Sequence, residues 1–474
     1  MNPDLVNYLQ QQIRTIDERL KRFTHDAKGA ERPKRLLFNV LEQYVTGFVS
    51  KKTNNRMVIM PGFRGVGKTT LMSQICAKYK AKGFEVLFLS VEDARNLFDV
   101  GIAQIMAAYE EILSTPLESV KKPVLIFLDE IQTDPKWVVT LKSLFEKTTN
   151  VFFCCTGSAA VLLQSSGDLA RRALFEKVPP ISFTEYEMTR NNIAPVNGLN
   201  NDIKEALYFA PTSEEAYEKL RSLKAKVNKY WTHISRADIK TYLSYGSLPF
   251  SFDMPNETAI YDSISLLLDK IIKSDLPTLG SFDNNTLNAV KRLLFAIAEN
   301  DVTSLPKLEE KFGLNRHTIT SVFEALEKAE LLIKIPAYGS NMTIAKKANK
   351  YLFMSPAIRM SFFYFTGIEN TYQVRQGKLL EDSIGAHLYR EFIIKGQGAI
   401  RYDSKEGGAD FILQILNNKQ IIIEAGLGDK TAKQIVNSAK TIDSDYNIIF
   451  SNSELKLDKD NNILFVPLDY YFLV

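Results

Sequence analysis

Gly62-Phe63-Arg64-Gly65-Val66-Gly67-Lys68-Thr69 decides the reading of this chain: an unbroken GxxxxGK(S/T) pattern that follows the apolar run RMVIM (56–60) and opens the helical stretch TTLMSQICAKYKAKG (69–83). A strand before and a helix after are the context in which this pattern means phosphate binding. Glycines at 62 and 67 let successive backbone N–H groups turn inward around phosphate oxygens, and the helix starting near Lys68 points its positive dipole end at them. Arg64, Gly65, Val66 and Thr70 complete the loop. Lys68 is placed to reach the β- and γ-phosphates and the Thr69 hydroxyl to ligate Mg²⁺, so ATP and Mg²⁺ are the expected ligands.

Outward from the loop, strand-like apolar runs alternate with helical segments: EVLFLS (85–90), a helical stretch around 99–114, VLIFLD (124–129), a helix around 136–148 and VFFCCTG (151–157). Strands separated by helices of about ten residues mean βαβ units and a buried parallel sheet, hence an α/β core. The run 124–130 ends in Asp129-Glu130, at the strand end where open α/β folds bind ligands. Asp129, 61 residues beyond Lys68, is placed to hold Mg²⁺ through water. Glu130 would orient the attacking water, which argues for hydrolysis over nucleotide storage. The third run leads into Thr156-Gly157-Ser158. Ser158, with Thr156 as second choice, is the candidate phosphate sensor; a turn closing a buried strand is the other reading. Arg171-Arg172 is either an arginine finger supplied in trans or a solvated basic pair.

With 474 residues the chain divides into roughly three domains on length alone. Lys+Arg 59 against Asp+Glu 55 leaves a net charge of +4, too small by itself to mark a nucleic-acid or acidic-lipid binder. A hydrophobic content of 45% excludes intrinsic disorder and low-complexity states. Cys76, Cys154 and Cys155 are too badly spaced for a disulfide framework, and His25, His233, His317 and His387 are too scattered for a metal-ligand pair. No stretch approaches the ~18 apolar residues of a membrane span and the N-terminus lacks a signal-like apolar region, so the chain reads as cytoplasmic.

Taken in order, GFRGVGKTTL, VLIFLDEIQ, CCTGSAAVLL, LARRALFEKVPPISFTEYE and YLSYGSLPF resemble prokaryotic AAA-type ATPases that carry a C-terminal restriction-nuclease-like domain of unknown function. The resemblance implies ATP hydrolysis by a homo-oligomer, with Arg172 a better match to the finger position than Arg171. Together with an amphipathic helix and a polar, basic break before residue 36, it gives a domain order: an N-terminal helical arm (1–35), a P-loop AAA-type core (36–196), a helical insertion and lid (197–280), a winged helix (281–360) and a PD-(D/E)XK nuclease-like domain (361–474). Residues 197–236 match nothing in the pattern and read as an added insertion. Local sequence supports the winged helix independently. Leu305 to Phe312 reads as a short helix, Gly313-Leu314 as a turn and Asn315 as an N-cap, and Ile319, Val322, Phe323 and Leu326 share one face of the next helix. Arg316, His317, Thr318 and Thr320 fall at its exposed start, where DNA contact is expected of such a helix. Ten Lys/Arg against eight Asp/Glu over 281–350 leave internal packing or protein contact as the other reading.

From Gly377 onward the chain resembles the PD-(D/E)XK core found in the same ATPases. The resemblance implies that Glu381 on a helix, Asp410 entering a strand and Glu424 on the next strand gather around one or two Mg²⁺ ions. Asp410 and Glu424, 14 positions apart, are expected on paired strands joined at Asn417-Asn418. An active enzyme of this kind has Lys two residues after the Glu; here that residue is Gly426. Lys430 and Lys433 lie beyond the strand, Lys433 within reach from a following helix. Gln434 and Tyr446 are expected to serve packing or substrate-backbone contacts. Two functions stand open. One is an ATPase whose nucleotide state controls the winged helix and a degenerate nuclease-like domain on or near DNA. The other is a regulatory switch whose pseudo-nuclease domain binds a protein partner.

Overall fold

The structure, a computed structural model, describes residues 2–159, 167–302, 304–364, 371–416, 418–426 and 432–474. It falls into two units, Met1–Pro179 and Pro180–Val474. In the first, β1 (Met57–Pro61), β2 (Glu85–Ser90), β3 (Val124–Asp129), β4 (Val151–Gly157) and the short β5 (Leu174–Phe175) form one parallel sheet in the order β2-β3-β4-β1-β5. Every residue of β1, β3 and β4 is buried, which is why these runs are apolar throughout instead of alternating. Because β3, β4 and β1 are parallel neighbours, the 62–69 loop, Asp129-Glu130 and Thr156–Ser158 emerge along one edge of the sheet.

Helices α1 (Pro3–Arg14), α2 (Ile16–Thr24), α3 (Leu37–Val49), α4 (Lys68–Ala81), α5 (Val91–Phe98), α6 (Ile102–Leu113) and α7 (Trp137–Lys147) belong to this unit. The segment read as an arm is part of its core: Leu5 and Leu9 join Leu87, Ile105 and Ile126 in one buried cluster. Arg19 donates to Phe88 O at 3.0 Å, and Lys80 bonds Asp17 at 2.8 Å. α4 touches the sheet on one side and α2 on another, so even Ser73, Gln74 and Cys76 are buried on it.

In the second unit, α8 (Phe183–Arg190) and α9 (Ser213–Trp231) lead to α10 (Asn284–Glu299), α11 (Leu305–Phe312), α12 (Arg316–Lys328) and the antiparallel hairpin β6 (Leu332–Ile335)/β7 (Lys350–Phe353). After α13 (Pro356–Tyr364) and α14 (Thr371–Leu388), β8 (Gly398–Arg401), β9 (Phe411–Ile415) and β10 (Lys419–Ala425) form an antiparallel meander. α15 (Lys433–Ala439) then crosses to β11 (Tyr446–Ser451), parallel to β10, and β13 (Ile463–Pro467) and β12 (Lys456–Asp458) complete the sheet β12-β13-β11-β10-β9-β8. Residues 197–236, expected as an insertion, are built into this unit. Tyr470 donates to Leu220 O at 3.1 Å, Trp231 to Asp469 O at 2.9 Å and Tyr446 to Leu207 O at 2.7 Å.

Candidate functional site

The phosphate loop is shaped by its glycines. Gly65 and Gly67 adopt φ of 83° and 90°, left-handed values that an L side chain resists, and a Cβ on Gly62 would stand 2.4 Å from Val178 O. Lys68 is buried and donates to the carbonyls of Gly62 at 2.8 Å and Phe63 at 3.0 Å, so its ammonium lies within the loop it closes. Val66 is buried, while Arg64 and Thr70 are partly exposed. Thr69 Oγ1 donates to Asp129 Oδ2 at 2.8 Å; Thr156 Oγ1 donates to Asp129 Oδ1 and accepts the Glu130 N–H at 3.1 Å. Burial, then the charge of Glu130, raises the Asp129 carboxyl above its usual range, against hydrogen bonds from Thr156 and Thr69 and the charge of Lys68. A hydroxyl and a carboxylate beside a phosphate-shaped loop are the hard-oxygen set that Mg²⁺ takes, so these residues fit Mg·ATP.

Glu130 sits at φ 56°, a left-handed conformation that costs a non-glycine residue about 1–3 kcal/mol and therefore has to be held by its surroundings. Thr156 holds its N–H, Arg64 Nη1 stands 3.6 Å from its Oε2, and Gln132 Nε2 donates to the same oxygen. Gln132 Oε1 in turn accepts the Ser158 N–H at 3.2 Å, so one amide ties Glu130 to the end of β4. The Ser158 Oγ is buried and has no hydrogen-bond partner among the described residues. Gln132 went unnoticed in the sequence, although it lies two residues past Glu130. So did Arg35, which is buried and donates to Val66 O at 2.8 Å and Pro179 O at 3.1 Å, clamping the loop backbone. Nothing in the local pattern of 26–35 distinguishes Arg35 from a solvated arginine. Arg172 pairs with Glu146 of α7 at 2.6 Å, and Arg171 is exposed.

The C-terminal acids come together as well. Ile423 lies opposite Phe411, which sets Glu424 beside Asp410: the Asp410 N–H donates to Glu424 Oε2 at 3.2 Å and the Ala425 N–H to Asp410 Oδ2 at 3.3 Å. Of the expected turn, Asn418 has φ 63° and Asn417 lies outside the described residues. Glu381 on α14 meets Asp410 through Lys350, whose Nζ bonds Glu381 Oε1 and stands 3.5 Å from Asp410 Oδ1. Burial works against the Lys350 ammonium, but Glu381, Asp410 and Asp301 more than offset it and hold the amine above the usual lysine range. Gly426 is buried and donates to Phe450 O at 3.0 Å; Lys433 is exposed, and Lys430 lies outside the described residues. Gln434 donates to Gly408 O at 3.3 Å, and Tyr446 is buried and donates to Leu207 O at 2.7 Å. On α12, Asn315 caps Thr318 N at 2.9 Å, and Arg316 and His317 are exposed while Thr320 is half-buried.

Sheet order, loop and acids together define an AAA-type P-loop ATPase, and the AAA domain family model matches residues 54–187. A second model, a domain of unknown function (DUF8612), matches residues 236–371. An uncharacterized protein of Methanocaldococcus jannaschii, MJ1637, is 33% identical over 445 residues, covering 93% of this chain and 89% of that protein. The chain belongs to the family of MJ1637. Among solved structures, the Thermotoga maritima RuvB Holliday junction branch migration motor matches at a TM-score of 0.26 and 17% identity, over 64% of this chain and 93% of that one. The Aeropyrum pernix ORC1 protein in complex with DNA matches at a TM-score of 0.29 and 9% identity, over 72% and 93%. Likenesses this weak carry no argument about the present chain. No helix among the described residues is long and apolar enough to cross a membrane.

Proposed function

We propose that this chain hydrolyses ATP with Mg²⁺, and that its nucleotide state governs a winged-helix module and a degenerate nuclease-like domain acting on or near DNA. The hydrolytic part is carried by the Thr69–Asp129–Thr156 hydrogen-bond cluster beside Glu130. Lys68 and the 62–69 N–H groups hold the β- and γ-phosphates, and Thr69 and Asp129 hold the metal. Mg²⁺, when bound, neutralises charge on the phosphates. Glu130 orients the attacking water and accepts its proton. Thr156 is committed to Asp129, so the Ser158 hydroxyl, which has no partner among the described residues, reads the γ-phosphate. Arg172 of a neighbouring copy completes the site, which makes the working form a homo-oligomer.

The test is an ATPase assay beside nucleotide binding. Lys68→Ala should lose both, while Glu130→Gln should bind ATP and turn it over about 100-fold more slowly. Undiminished turnover by Glu130→Gln would remove the assigned role. The DNA half of the proposal is supported by the capped, exposed start of α12 at Arg316 and His317. It requires hydrolysis that duplex DNA stimulates and salt suppresses; equal rates with and without DNA would count against it. The second reading, a pseudo-nuclease domain that binds a protein partner, is favoured by Gly426, which supplies no cation where cleavage needs one.

A further inference from the structure

Lys350, the first residue of β7, stands 60 positions before Asp410 in the chain, yet its side chain is only 6% exposed among the acids that the nuclease-like reading assigns to Mg²⁺. Its Nζ bonds Glu381 Oε1, lies 3.5 Å from Asp410 Oδ1, donates to Asp410 O at 3.3 Å and rests 5.0 Å from the Phe411 ring centre. Two further carboxylate oxygens tie the strand ends together, Asp410 Oδ2 to the Ala425 N–H and Glu424 Oε2 to the Asp410 N–H. Among the described residues no three His, Cys, Asp or Glu side chains are arranged to hold a metal ion. The acids therefore do not fit Mg²⁺ with Lys350 in place, because the metal would need the oxygens the ammonium already binds.

The lysine is delivered to this position by its backbone. Lys350 pairs with Ile335 across the hairpin and bridges Val302, and the next N–H, of Tyr351, donates to Asp301 O at 2.8 Å. In the connection between β6 and β7, the Tyr338 N–H donates to Tyr402 O at 2.8 Å, and the Tyr402 hydroxyl donates to Ala348 O at 2.6 Å, stitching the hairpin to the β8 end of the sheet. Next to Glu381, Asp382 receives two bonds from the buried Arg359 and one from the Phe353 N–H at 2.9 Å. Withdrawing Lys350 would take the bonded ammonium away from the Glu381 carboxylate, which is only 13% exposed, and removing one partner of so enclosed an ion pair is strongly destabilising.

We infer that Lys350 is the resident cation of the Glu381–Asp410–Glu424 cluster. It takes the place of the divalent ion, latches the hairpin module to the C-terminal sheet, and leaves the domain without phosphodiester cleavage. This inference rests on the nuclease-like reading of those acids and sharpens it toward the pseudo-nuclease.

The experiment is Mn²⁺ titration of the full nucleotide-free chain, followed by electron paramagnetic resonance, for wild type, Lys350→Ala, Asp410→Asn and the double variant. Binding lost on Asp410→Asn is assigned to the cluster. Wild type should show no such binding, and Lys350→Ala should gain about one Mn²⁺ per chain that Asp410→Asn removes again. Asp410-dependent Mn²⁺ binding or DNA nicking by wild type would overturn the inference while leaving the nuclease-like reading standing. A folded Lys350→Ala chain that gains no Mn²⁺ would overturn both. Should Lys350→Ala fail to fold, the melting temperatures of Lys350→Met, Glu381→Gln and their double variant decide. A double variant that recovers part of either loss supports the latch, and strictly additive losses refute it.

Discussion

Glu187 of α8 is completely buried, yet only one of its carboxylate oxygens is satisfied: Asn191 donates to Oε2 at 2.8 Å, and Oε1 has no partner among the described residues. Burial is the main cause that lifts its carboxyl from 4.5 to about 7; the Asn191 hydrogen bond and Arg190 work the other way, and Asp238 adds to the rise. A group that holds its proton more tightly when folded than when unfolded favours the fold at low pH and costs stability as pH rises through the folded value. Glu187→Gln should therefore raise the stability of the second unit by about 1–3 kcal/mol above pH 7, with the gain fading toward pH 4.5. Thermal melts of both proteins between pH 5 and 8.5 check this, and a constant difference across that range would refute it. Glu130 shows the opposite arrangement, with Arg64 and Gln132 on its carboxylate. Among nearby acids in a sequence, only the partners distinguish a destabilising carboxylate from a poised one, and partners are not written next to it.

At the scale of elements, what could be read was whatever chemistry or periodicity confines to one stretch. VLIFLD is apolar from end to end because β3 lies inside a parallel sheet, and the spacing of Asp410 and Glu424 yields paired strands because a hairpin is local. The helical arm over 1–35 was equally legible, but a helix in sequence does not say what covers it. In the structure α1 packs on α6 and α2 on α4, which places Leu5 and Leu9 in the sheet's own core. Lys350 was invisible for a related reason. A search for the missing cation near Gly426 looks along the chain, whereas the hairpin supplies it from 60 residues before Asp410. The N-terminal packing makes a prediction of its own. Leu9 is fully buried, so Leu9→Ala leaves a cavity and should cost the first unit about 2–4 kcal/mol, where a detached arm would lose almost nothing. Chemical denaturation monitored within residues 1–179 distinguishes the two.

At the scale of the whole molecule, the proposed function assigns Arg172 to the site of a second copy, while in its own chain the residue is paired. Arg172 bonds Glu146 at 2.6 Å, with side-chain exposures of 25% and 48%. An ion pair this open to water contributes roughly 0.2–1 kcal/mol, because solvent screens it and two long side chains must be ordered to form it. An arginine finger at a transferring phosphate is worth 10³–10⁵ in turnover, about 4–7 kcal/mol, which is more than the pair with Glu146 by itself contributes. Turnover per subunit should thus rise with protein concentration until assembly is complete. Arg172→Ala should lower the plateau about 1,000-fold with ATP binding intact, and Glu146→Gln should leave the plateau within about twofold of wild type. Mixing Arg172→Ala with Glu130→Gln separates the trans arrangement from any other. Each variant supplies what the other lacks at a shared interface, so mixed assemblies recover part of the activity if the finger acts between copies. Rates that stay independent of concentration, or mixtures as inactive as their components, would assign Arg172 to the surface of its own subunit.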